Sequence, residues 1–144
     1  MALYQKFDQF VEDLAKKVHN LNSDTLKVML TNTAPSAANT VLANITEITP
    51  GNGYSAGGSA ATFVSGAQSS GTYKLVLNDV TFTASGGSIG PFRYAVLYND
   101  TPTSPADPLI AFWDYGTSIT LTNGNSFTVN PALYRSMPYK QGDL

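Results

Sequence analysis

From Phe7 onward, apolar residues recur every three or four positions: Phe7, Phe10, Val11, Leu14, Val18 and Leu21. That spacing places them on one stripe and predicts an amphipathic helix over residues 5–21. The opposite face carries Glu12 with Lys16 and Asp13 with Lys17. Both pairs are acid-first at i, i+4, each worth about 0.2–0.5 kcal/mol. A helix this short is marginal alone in water, so its stripe must dock, either on the chain's own sheet or on a helix or groove of another subunit.

After Thr25 the period changes to two. Thr25 to Thr31 reads as a strand with Leu26, Val28 and Leu30 on one side, and Thr40 to Ile48 as a second. The intervening 49–58 stretch, TPGNGYSAGG, has too many glycines for a regular element and predicts a long surface loop, with Tyr54 as a contact tip. Between Tyr73 and Thr83 the alternation slips after Leu77, which means an Asn78-Asp79 turn or a bulge. Phe92 to Tyr98 and Leu109 to Tyr115 are apolar on both parities, as strands covered on both faces are. They are therefore also candidates for a self-association core. Ile119 and Leu121 alternate with polar residues, and Asn123-Gly124 then predicts a type I′ hairpin to Phe127 and Val129. Beyond Asn130 the periodicity fails, and residues 130–144 read as an irregular tail, either disordered or an arm lying along another surface. The fold expected is mainly β: a single domain, 1–144, with an antiparallel β-sandwich (jelly-roll-like or Ig-like) over 25–129 and one N-terminal amphipathic helix.

Charge narrows the functional classes. The net charge is −2 and only 12% of residues are charged, so nothing here forms the basic footprint of a nucleic-acid binder. A surface so poor in charge suits a subunit whose faces neighbours cover. The first 18 residues are broken up by charges and lack the apolar core of a signal peptide, and no stretch reaches membrane-spanning length. The expectation is a protein made in the cytoplasm of its host, with no membrane partner, whose triplets Asn44-Ile45-Thr46 and Asn99-Asp100-Thr101 match the glycosylation pattern by chance.

Candidate chemistry is sparse. With one histidine and no cysteine, imidazole or thiolate metal sites and Cys-His catalysis lack their parts. His19 is expected at the surface or as a helix cap. The loop at 49–58 lacks the Lys-Ser or Lys-Thr of a phosphate cradle. Asp100, Asp107 and Asp114 could bind calcium or act as paired carboxylates, but their spacing matches no EF-hand and turn positions beside Pro102, Pro105 and Pro108 explain the first two. Trp113 with Tyr98 and Tyr115 could form a sugar-stacking platform, although aromatic residues within apolar strands more often fill a core. No catalytic, cofactor-binding or metal-ligating residue is assigned, and the chain is read as a non-enzyme without cofactors.

Three long runs carry a resemblance: FDQFVEDLAKKVHNLNSDTLKVMLTNTAPSAANT, NITEITPGNGYSAGG and GGSIGPFRYAVLYNDTPTSPADPLIAFWDYGTSITL. Spanning about Phe7 to Val129, they resemble a family of small tailed-bacteriophage and prophage virion structural proteins, described as capsid decoration (cement) proteins or fibre components. The resemblance implies no catalytic residues. Similar proteins end in another alternating strand, from which NPALYRSMPYKQGDL departs. Read together with the residues, it implies a decoration protein on the capsid surface of the virion. Such a protein binds the major capsid protein of the same phage, bridges coat subunits and associates with itself as a homotrimer or else a dimer. The alternative it implies is a fibre or receptor-binding module that recognises host surface glycans. Interface candidates are Phe7, Phe10, Leu14 and Val18 on the helix, Tyr98 in the double-faced strand, and Tyr134, Met137 and Tyr139 in the tail.

Overall fold

The structure, a computed structural model, describes residues 4–131. It is mainly β, with antiparallel sheets and one short helix near the N-terminus. Strands β1 (Tyr4–Lys6), β2 (Leu26–Thr31), β3 (Ser59–Ala61), β7 (Ile89–Asn99) and β8 (Leu109–Leu121) form a five-stranded sheet in the order β1-β8-β7-β2-β3. Two separate ribbons complete the body, one of β4 (Phe63–Ser69) with β5 (Thr72–Leu77), the other of β6 (Val80–Thr83) with β9 (Ser126–Val129). The arrangement is sandwich-like, but the layer opposite the main sheet is split between these ribbons. One continuous apolar core draws on all three sheets, from Phe7 and Leu30 to Leu75, Phe82 and Val129.

The helix α1 (Asp8–Ala15) is half the length that the 5–21 pattern predicts. Its start is displaced because Tyr4, Gln5 and Lys6 pair with Trp113, Phe112 and Ala111, and Phe7 N–H continues the ladder to Ile110 O at 3.1 Å. Edge pairing to β8 satisfies backbone groups that a longer helix would have left to water. Its end is set by Lys17, whose φ is 65°. Val18 N–H returns to Asp13 O at 2.8 Å and Lys17 N–H to Leu14 O at 3.3 Å, the paired bonds of a Schellman cap. Beyond that cap Lys17 leaves the helical face. Asp13 is buried and accepts from Gln9 Nε2 at 3.1 Å instead of meeting Lys17, whereas the expected Glu12–Lys16 pair forms at 2.7 Å. The apolar stripe docks on the chain's own sheet, with the Phe7 ring 5.1 Å from that of Phe112.

Two strand expectations fail for local reasons. Residues 40–48 make a single 3-10 turn, Leu42–Asn44, because Asn44 Oδ1 accepts from the N–H groups of both Thr40 and Val41. That side chain offers the backbone an alternative to a ladder. The Asn123-Gly124 turn exists but closes no β8–β9 hairpin. Only Gly124 of its central pair has positive φ (88°), whereas a type I′ turn needs both. Gly124 N–H instead bonds Ala84 O at 2.8 Å, and Asn123 Oδ1 accepts from Gly86 N–H at 3.0 Å. The turn is thereby fastened to the 84–86 corner, sending β9 to β6 (Phe82↔Phe127) while the end of β8 stays with β7 (Ile89↔Leu121). At Asn78-Asp79 the chain passes from one ribbon to the other, which resolves the phase slip as a break between strands.

The glycine loop after Thr49 is no free tip. Tyr54 is buried; its hydroxyl accepts from Leu30 N–H at 3.1 Å and donates to Glu47 Oε2 at 2.7 Å. Glu47 Oε2 also accepts from Gly57 N–H at 2.6 Å, and Tyr98 Oη donates to Gly57 O at 2.6 Å. Gly58, with φ 81°, lies so close to β2 that an added Cβ would sit 1.8 Å from Val28 O. Burial pushes both tyrosine hydroxyls well above their ordinary range, so they remain protonated donors.

Candidate interaction surfaces

The expected interface residues separate sharply. Phe7, Phe10 and Tyr98 are fully buried in the chain's own core and offer no surface to a partner. The same correction applies to β7 and β8 as a self-association core. They lie inside the main sheet, flanked by β1 and β2, with both parities of Ala95–Tyr98 and Leu109–Phe112 buried by the chain itself. Leu14 and Val18 are half-buried and line an open hollow of about 530 Å³ with Lys17, Asn20, Asn22 and Tyr73. Tyr134, Met137 and Tyr139 lie outside the described residues.

His19 is another correction. It is 5% exposed, edge-on to Phe10 at 5.1 Å, and its Nδ1 accepts from Asn99 Nδ2 at 3.0 Å. Burial lowers its pKa, against the opposing pull of Asp13 and Asp24. Asn99 is itself fully buried and donates to Asp24 Oδ2 at 2.7 Å, so this asparagine is a structural knot. The three aspartates do not converge. Asp100 pairs with Lys27 at 3.2 Å and lies against Asp107, whose pKa is raised by burial and by that neighbour. Asp114 lies five residues along β8 from Leu109, about 16 Å at the usual rise per residue. There it is held below the usual carboxylate range by Arg93. Among the described residues no group of three or more His, Cys, Asp or Glu is placed to hold a metal ion, and no helix is long and apolar enough to cross a membrane.

Two surfaces remain. The first is the β4–β5 ribbon. Leu75 and Leu77 anchor β5 in the core, but β4 is exposed from Val64 to Ser69, with Val64 51% exposed. At its tip Ser70 (φ 53°) and Gly71 (φ 83°) make a two-residue turn with positive φ at both positions. Tyr73 crosses over Gly66, where an added Cβ would lie 2.0 Å from the phenol oxygen. Among the described residues β4 pairs only with β5 and no strand lies on its other edge, and from Phe63 to Ser69 it contains neither a charge nor a proline. β4 is hard to see in the sequence because SGAQSS shows no apolar alternation; the Ser70-Gly71 dipeptide between Val64 and Tyr73 is its one signal.

The second surface is a groove of about 380 Å³ between the end of the main sheet and the β6–β9 ribbon. Phe127 of β9 stands edge-on to Phe92 at 5.0 Å and to Tyr115 at 5.5 Å, which fixes both rings. Trp113 forms part of the lining and is nearly buried, whereas Tyr115 is 53% exposed. Arg93 grips Asp114 through two bonds, Nε to Oδ1 at 2.7 Å and Nη2 to Oδ2 at 3.1 Å, and lies 5.4 Å from the Tyr94 ring. Of the expected sugar platform, Tyr98 is lost to the core, and Trp113 and Tyr115 share this groove. Compared with known proteins, the chain matches no family model, no curated protein and no solved structure.

Proposed function

We propose that this chain is a non-enzymatic decoration protein of a tailed-phage virion, one that binds the assembled shell at the capsid surface and bridges coat subunits. The observation that carries the reading is the bare edge of β4. An uncharged, proline-free edge strand is a template for a strand of another chain, and soluble monomers normally blunt such edges with lysine, proline or a bulge. Here the one bulge, between Phe63 and Ser65, lies at the base, and the register runs without interruption from Ser65 to Ser69. A two-stranded ribbon is marginal by itself, so a neighbour on that edge also stabilises the arm. The low charge and the resemblance of residues 7–129 to virion structural proteins point the same way. The partners are the major capsid protein and further copies of this chain, arranged as a homotrimer or else a dimer around local axes of the shell. Binding to shells but not to dissociated coat protein would stabilise the shell by RT ln(1 + [L]/Kd) per site. Electron microscopy of particles produced with and without this gene tests the reading: regular surface density that vanishes with the gene supports it, and identical particles refute it.

Tyr115 supports a second reading, a fibre module for host glycans, since a half-exposed ring beside a fixed Arg93–Asp114 pair offers both stacking and hydrogen bonding to a sugar. A glycan array with the intact protein tests it, and binding unaffected by Tyr115→Ala would remove the groove from that role.

A further inference from the structure

The outward edge of the β4–β5 ribbon can be followed residue by residue. Ser70 and Gly71 form a two-residue turn, so Ser69 and Thr72 close it with their backbone groups facing each other. Direction alternates along a strand from there. Ser69, Ala67 and Ser65 turn their N–H and C=O toward β5, whereas Gly66 and Gln68 turn theirs away. Among the described residues no strand takes up those outward groups. The uninterrupted register covers 65–69, between the bulge and the turn, and its midpoint is Ala67.

That midpoint makes the stretch complementary to itself. Antiparallel pairing about a two-fold axis at Ala67 sets Ala67 of one copy against Ala67 of the other, Ser65 against Ser69 and Gly66 against Gln68. The two residues with outward backbone groups then meet each other on either side of the axis and exchange both bonds. No charge is set opposite a like charge, and the side chain at the axis is a single methyl group. The Gln68 side chain is engaged at the turn, where its Oε1 accepts from Gly71 N–H at 3.2 Å. Each ribbon is marginal by itself; joined in this way they become one sheet in the order β5-β4-β4-β5, anchored in both cores by Leu75 and Leu77.

We infer that the occupant of the β4 edge is β4 of a second copy, antiparallel and in register at Ala67, and that the product is a closed two-fold dimer. This rests on the reading of β4 as an assembly edge and selects the second copy over a coat strand as what fills it. The paired stretch is about 17 Å long at the usual rise per residue, too little to supply the roughly 1,200 Å² that stable interfaces bury. The dimer is therefore weak between free molecules and gains from copies held side by side.

The chain has no cysteine, so single cysteines report the pairing covalently. Opposed residues that do not exchange bonds have Cα atoms about 4.5 Å apart, within disulfide range. The full-length variant Ala67→Cys, oxidised with glutathione disulfide, should form covalent dimers several-fold faster than Thr120→Cys, which is exposed on β8. Ser65→Cys mixed with Ser69→Cys should cross-link to each other faster than either does to itself, and this pair of variants carries the test should Ala67→Cys fail to fold. Equal rates for Ala67→Cys and Thr120→Cys, with native circular dichroism in both, overturn the inference. Faster linkage of Ser65→Cys to itself than to Ser69→Cys overturns it as well, because that is the signature of a parallel pair. If cross-linking fails while Val64→Lys abolishes uptake by shells, the edge belongs to a coat strand: the dimer is refuted and the shell reading stands. If cross-linking succeeds but particles made with and without the gene are identical, the dimer stands and the shell reading falls.

Discussion

The side-chain amide of Asn99 donates to Nδ1 of His19 at 3.0 Å, joining the end of β7 to the segment that follows α1. Because Nδ1 accepts, the proton of the neutral ring sits on Nε2, which is buried without a hydrogen-bond partner among the described residues. Asp13 Oδ2 is likewise buried and, among the described residues, unpartnered. The ring is thus held neutral, enclosed by Phe10 and faced by the carboxylates of Asp13 and Asp24.

This arrangement makes stability fall on mild acidification. In the unfolded chain the imidazole titrates near 6.5, and folding lowers that value by burial. Below about pH 6.5 the unfolded state therefore takes up a proton that the folded state resists, and stability declines until the pH passes the folded pKa. Thermal unfolding followed from pH 7.5 to 5.5 should show a falling Tm. His19→Gln should flatten that slope while lowering Tm at pH 7.5.

Tyr54 ties the glycine loop to β2 by a single hydroxyl that both accepts from Leu30 N–H and donates to Glu47. Tyr54→Phe keeps the ring against Phe82, 5.6 Å away, but leaves a buried backbone N–H without its acceptor. The expected cost is about 1–3 kcal/mol. Urea unfolding should show it as a lower midpoint at unchanged slope.

Lys17 terminates α1 in a left-handed conformation that costs an L side chain roughly 1–2 kcal/mol. Lys17→Gly removes that cost and returns part of it as unfolded-state entropy, about 0.4–1 kcal/mol. The variant should gain about 0.5–1 kcal/mol overall, and Lys17→Val should lose stability in the same assay.

The parts of this fold that were legible in the chain are those decided by solvent. β2, β7 and β8 carry apolar residues where a sheet must bury them, and alternation or its saturation marks them without reference to partners. What was not legible depended on who pairs with whom. The stripe from Phe7 to Leu21 continues past Lys17 in spacing but not in backbone, because a cap is a local conformation that periodicity does not record. Asn123-Gly124 specifies a turn but not the strand that follows it to a partner; the bonds to Ala84 and Gly86 decide that. His19 looked like a surface residue because nothing near it in sequence announces Asn99, eighty positions away. Of the candidate surfaces, Tyr115 was visible as an aromatic residue at a strand end, and β4 was hidden by its serines and glycine.

The bare edge of β4 leads to the prediction on which the assembly reading turns. Val64 is half exposed at the base of the ribbon, so Val64→Lys should change folding stability by no more than about 0.5 kcal/mol, as surface substitutions generally do. A lysine there is the device by which natural edge strands repel neighbours. If β4 receives a strand from coat protein or from another copy, the variant should lose sedimentation with shells, or dissociate to monomer in ultracentrifugation, while its far-ultraviolet circular dichroism and Tm stay native. Ala67→Lys, nearer the tip and also exposed, should act in the same direction. Retention of shell binding and oligomeric state by both variants would mean that the edge carries no partner, and the decoration role would lose its structural support.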